Sequence, residues 1–182
     1  MFLKKFKDIP TNNLVYIITL VGLIIVLLVY IIIFIPIETS VPIYGIIDYE
    51  FAWTQDKVEL IFLTWGFEGM TKQTIAIYWD FLFIFGYVSL SFGLILIVLR
   101  RLDGKIQTIG LYFTLISFLT GIFDIIENIN LLIMLNAPMS ISTFNPFIAS
   151  LSALIKFCCL FGAVSYFLIA LFFIIFNKVR KK

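Results

Sequence analysis

Histidine is absent from this chain of 182 residues, cysteine occurs only twice, and charged residues make up just 13%. Each shortage excludes something. Without histidine the usual metal ligand and the usual general base near neutral pH are gone. The two cysteines, Cys158 and Cys159, are neighbours inside an apolar run, so they can form neither a disulfide framework nor a four-ligand zinc site. They read as small core residues. A water-soluble domain of this size carries about 25% charged residues. The net charge of +2 is too small for nucleic-acid binding. No nucleotide loop, nucleophile elbow or zinc motif is present, and no internal repeat stands out. No cofactor and no metal are expected.

What fills the chain instead is apolar: 62% of its residues are hydrophobic and 18% aromatic. No single core of this size absorbs so much Ile, Leu and Phe, so the surplus faces lipid. A membrane span needs about 20 consecutive, mainly apolar residues. Four stretches qualify, near 14–35, 75–99, 106–135 and 146–176. The first carries no charge and no small-residue cleavage site follows it, which reads as a retained signal anchor. Asn145 reads as the N-cap of the last, with Pro146 in its first turn.

Lys and Arg in the short flanks set the orientation. Lys4, Lys5 and Lys7, then Arg100, Arg101 and Lys105, then Lys178, Arg180, Lys181 and Lys182 share one side. The other side has only Lys57 and Lys72, with Glu38, Asp48, Glu50, Asp56, Glu59 and Glu68. Both termini are therefore expected in the cytoplasm, the chain crossing the cell (plasma or inner) membrane several times. The long outer loop, about 36–74, has an alternation of Ile47, Tyr49, Phe51 and Trp53 with Asp48, Glu50 and Ala52. Period two predicts a half-buried strand. Thr54 then caps a short helix whose Val58, Ile61, Phe62 and Trp65 share a face, and Gly66 ends it. The expected fold is an all-α integral membrane protein of one domain over 1–182. It is a bundle of four transmembrane helices with a small extracytoplasmic cap of strand plus helix.

Inside the spans, small and polar residues fall on stripes. Gly110, Thr114, Ser117, Gly121, Asp124 and Asn128 follow at alternating steps of four and three. Asn145, Ala149, Ser152, Lys156, Cys159, Ala163, Tyr166 and Ala170 do the same on the last span. Such stripes are what packed membrane helices present to one another. Gly86, Ser89 and Gly93 form a further one, while Tyr78 and Trp79 read as interfacial anchors.

Depth decides which polar residues meet. At 1.5 Å per residue, Asp124 lies roughly 18 Å below the outer end of its helix and Lys156 roughly 16 Å below its own. They should be level, with Asn128 directly above Asp124 and Glu127 displaced to the side. Asp80, on the second span, belongs nearer the outer surface, and Tyr87 and Ser91 continue its face inward. Three carboxyls then share a low-dielectric region with one amine, which neutralises only one of them. A charge at the centre of a span costs at least ~2.5 kcal/mol. Either some acids keep their protons, or a cation occupies the site, or water reaches it.

The outer "LTWGFEG", then "YWDFLFIFGY", "GIFDIIENINLL" and "SALIKF", resemble a family of small, uncharacterised four-helix membrane proteins of prokaryotes. The positions carrying the resemblance are Asp80, Asp124, Glu127, Asn128 and Lys156, and it runs from about 48 to 173. It implies a shared fold and polar centre and brings no assigned activity. The five residues are thus the candidate ligand-binding set: a polar pocket opening outward, taking a proton, a cation or an amphipathic or lipid ligand. The alternatives are an integral membrane enzyme on a lipid or isoprenoid with Glu127 or Asp124 as acid/base, and a structural accessory subunit. Expected partners are membrane lipids, an amphipathic small molecule, a membrane protein or a second copy of the chain, and no nucleic acid.

Overall fold

The computed structural model describes residues 3–40 and 43–180. Among them every regular element is a helix. A short 3₁₀ helix, Leu3–Lys7, precedes α1 (Asn12–Glu38), α2 (Ile46–Glu50), α3 (Gln55–Leu99), α4 (Gly104–Asn136) and α5 (Phe144–Arg180). All but α2 are long and apolar enough to cross a membrane. Their outer faces expose Leu20, Ile24, Phe85, Ile122 and Phe172, which only lipid tolerates in such density. Lys181 and Lys182 of the basic flank, and residues 41 and 42 of the predicted loop, lie outside the described residues.

Two close-packed seams order the bundle. Gly22 of α1 lies so near α3 that a Cβ there would come within 2.6 Å of the Gly86 carbonyl oxygen and the Leu90 nitrogen. On α4 and α5 the small-and-polar stripes face inward: Gly110, Thr114, Ser117, Gly121, Asp124 and Asn128 are all buried, as are Ala149, Ser152, Lys156, Ala163, Tyr166 and Ala170. Helix α5 packs along α4 and, less extensively, on α3, whereas α1 leans on α3 alone among the long helices. Cys158 is exposed and Cys159, though on the stripe of α5, is only partly buried, which corrects their reading as core residues.

Helix α1 is not uniform. Over Tyr30–Phe34 it widens to a π turn, in which the Ile35 N–H reaches the Tyr30 carbonyl five residues back. Pro36 follows immediately. It has no N–H for the carbonyl four residues earlier, and its ring crowds that carbonyl. Widening the turn relieves both.

The cap departs from expectation. No strand is found among the described residues, and Ile46–Glu50 is a short helix. A strand here would have no partner to complete its hydrogen bonds. Asp48 supplies an alternative, because its Oδ2 accepts the Gly45 N–H at 2.8 Å and closes a helical turn. Apolar alternation misled because Tyr49 and Glu50, on opposite faces of a strand, are both buried in the helix. Trp53 then takes φ of 59°, held by its N–H to Ser150 Oγ at 2.9 Å.

Thr54 caps α3 as predicted, accepting the Lys57 N–H at 3.4 Å. Val58, Ile61, Phe62 and Trp65 are all buried. Gly66 breaks the helical path with φ of 61° and ψ of −173°, a conformation open to glycine. The chain becomes helical again at once, so helix runs from there through the predicted start of the second span at Ile75. At α5 the helix starts at Phe144, and Ser142 Oγ accepts the Phe144 N–H at 3.4 Å. Asn145 therefore lies inside the first turn and is not the cap.

Candidate functional site

Asp124 and Lys156, expected at the same depth, meet: Lys156 Nζ lies 2.9 Å from Asp124 Oδ1. Glu127, expected to stand aside, touches the same ammonium at 2.8 Å through Oε2 and 3.0 Å through Oε1. One turn of α4 separates the two acids, and the four-carbon stem of Lys156 reaches between them. Lys156 thus bridges both acids, although its single charge still balances only one of them.

Above the pair, Asn128 donates from Nδ2 to Asp80 Oδ2 at 2.6 Å, joining α4 to α3. Below it, the Tyr87 hydroxyl donates to Asp124 Oδ2 at 2.7 Å. Ser91 and Ser117 pair at 3.0 Å further along the same faces. The five candidates therefore fall into two bonded groups, Asp80 with Asn128 and Lys156 with Asp124, Glu127 and the added Tyr87. Asp124, Glu127, Asn128 and Lys156 are buried, and Asp80 is partly so.

One member was missed. Glu50, at the end of α2, points its carboxyl down from the cap and places Oε2 3.5 Å from Lys156 Nζ. That separation is an ion pair but no hydrogen bond. Glu50 is 7% exposed, and burial pushes its carboxyl above the usual carboxylate range, with the Lys156 ammonium opposing. Read as a strand residue, Glu50 had no reason to turn inward. Three carboxyls thus contact a single ammonium, while Asp80 is bonded to Asn128.

A cavity of about 500 Å³ opens beside the cluster. Glu50, Asp80, Asp124, Asn128 and Lys156 form its polar wall, with Gln73 and, at the rim, Glu38. The remainder is aromatic and aliphatic, including Tyr30, Phe34, Ile77, Phe83, Phe157 and Leu160. Four of the five predicted residues therefore line the cavity. Glu127 does not: it is fully buried behind Lys156. Gln73 is the second residue that the sequence did not mark. It is 2% exposed, and its Oε1 has no hydrogen-bond partner among the described residues. Nor do those residues contain a group of acids placed to hold a metal ion.

No family model, no curated protein and no solved structure matches this chain. What the site does must be read from its own chemistry.

Proposed function

We propose that this multi-pass membrane protein binds an amphipathic ligand in the cavity beside Lys156. The observation that carries the reading is the cavity itself. Its volume falls in the range of small-molecule sites, roughly 300–1,000 Å³, and it joins a mostly apolar wall to a few convergent polar groups. A purely structural network would be closed and fully hydrogen-bonded, whereas here Gln73 and Glu50, which line the cavity, each keep a polar atom without a hydrogen bond. The basic flanks put both termini in the cytoplasm of a cell membrane and the cavity toward the opposite face. The likeness to a small prokaryotic family with the same polar centre belongs to this reading as well.

The enzymatic alternative has less support. Glu127 is sealed away from the cavity, and Asp124 is held by both Lys156 and the Tyr87 hydroxyl. A catalytic role would therefore need Asp124 to act while bonded to both groups.

Ala76 lines the cavity, so Ala76→Phe should fill it without touching the ion pairs. The test is thermal unfolding in nanodiscs with and without added lipid extract. The wild type should rise in midpoint with extract, as ligand linkage requires, and Ala76→Phe should not. Equal responses in the two proteins would refute binding in this cavity.

A further inference from the structure

Donors and acceptors on the cavity wall are unevenly used. The one ammonium is committed: Lys156 is shared between Asp124 and Glu127 at 2.8–3.0 Å. The Tyr87 hydroxyl is spent on Asp124, and the Asn128 amide N–H on Asp80. Left over are acceptors. Asp80 Oδ1 has no partner among the described residues, since its bond to Asn128 uses Oδ2. Glu50 Oε2 and Gln73 Oε1 make no hydrogen bond, although both are buried. Buried acceptors without donors are expensive in a low-dielectric site, and excess negative charge repels any anionic headgroup. An ammonium reverses both penalties, because it brings a positive charge and several N–H donors.

The same cavity is bordered by two helices, α1 and α5, that do not pack closely on each other among the described residues. Helix α1 packs on α3, and among the described residues it makes no comparable contact with α5. Tyr30 and Phe34 of α1 face Phe157 and Leu160 of α5 across the space between. The π turn at Tyr30–Phe34 shapes α1 where it borders this gap. In a bilayer, a gap between two spans faces acyl chains, so a tail can lie in it while the head reaches the carboxylates.

We infer that the ligand is a cationic amphiphile, with an ammonium headgroup held by Asp80, Glu50 and Gln73. Its apolar tail lies between α1 and α5. This rests on the proposed binding in the cavity and adds the ligand's charge and its route of entry from the bilayer.

Three probes of equal chain length separate the terms: dodecylammonium, dodecanol and dodecanoate. The full chain in zwitterionic nanodiscs is titrated with each, and one-to-one occupancy is read by native mass spectrometry. Dodecylammonium should bind most tightly and dodecanoate least. Asp80→Asn, which keeps an acceptor for Asn128, should weaken dodecylammonium about tenfold or more and leave dodecanol unchanged, the scale of one desolvated charge partner. Gln73→Met, which removes the unpaired acceptor without a charge change, should weaken the amine by a smaller factor. If dodecanol or dodecanoate binds as well as the amine, the cationic assignment fails while the cavity remains a binding site. If Asp80→Asn binds dodecylammonium like wild type, the headgroup assignment fails. If none of the three saturates, both the assignment and the proposed function fall.

Discussion

The half of the bundle near the cap and the half near the basic flanks use the same four long helices and pack them in opposite ways. Toward the basic end, Ile95, Leu96, Leu99 and Leu111 are almost completely buried against Ala163, Tyr166 and Ala170. Small residues there bring helices into direct contact. A Cβ on Gly110 would collide with the Tyr166 side chain and lie 2.9 Å from the Leu99 Cβ. Arg100 fastens the N-terminal segment to this end through the Phe6 and Pro10 carbonyls and the Asn12 side chain. Toward the cap, the helices are held apart around four carboxyls, one ammonium and a cavity of about 500 Å³. Close packing is the cheaper way to join membrane helices. The half near the cap keeps buried charge and open volume instead, which is the contrast the proposed ligand binding would account for.

That contrast can be broken most severely at Lys156. Lys156→Met leaves Asp124, Glu127 and Glu50 without their counter-ion, and removing one partner of a buried pair costs about 3–5 kcal/mol. A corresponding fall in thermal midpoint is expected in detergent. A smaller loss belongs to the other half: Gly110→Val overpacks a full seam and should cost about 1–3 kcal/mol, measured by the same unfolding, with ligand response intact. Smaller still is Ala76→Phe, which enters existing space and should change stability by less than about 1 kcal/mol. Its effect should appear in binding alone.

The smallest effect is one of pH. Burial raises the Glu50 carboxyl, so the folded protein holds that proton more tightly than the unfolded chain does. Stability from this group is then greatest at acidic pH. It is lost as pH climbs from the ordinary carboxylate range through the raised folded value. Facing Glu50 are Lys156 from α5, Asp124 and Glu127 from α4, Asp80 from α3 and Glu38 at the rim from α1. These charges interact with its own, so the informative quantity is a difference. Glu50→Gln should flatten the fall in midpoint between acidic and neutral pH relative to wild type, without reversing it.

Much of the closed half was legible in the sequence, and half of the open one. Spacing of four and three alone put Gly110, Thr114 and Ser117 on the same buried face as Asp124, because a helix in lipid satisfies its own backbone and leaves only side-chain periodicity to read. Counting the rise per residue brought Asp124 level with Lys156. Glu50 and Gln73 escaped for a shared reason. Each sits in the region read as an outer loop, where no single period governs the chain. The alternation from Ile47 to Trp53 imitates a strand, and only the Asp48 contact to Gly45 tips it into a helical turn. Gln73 lies just beyond Gly66, on helix that the hydropathy pattern assigned to the loop. The cavity itself arises from how far α1 stands from α5, which no local pattern encodes.

The most direct measurement extracts wild type and Ala76→Phe from the same membranes in the same detergent and compares the amphiphiles that remain bound. Binding in the cavity predicts one species retained near one-to-one with wild type and missing from Ala76→Phe, with bulk lipids equal in both. Identical profiles from two equally folded proteins would contradict it and leave the charged cluster as a device for holding the helices in register.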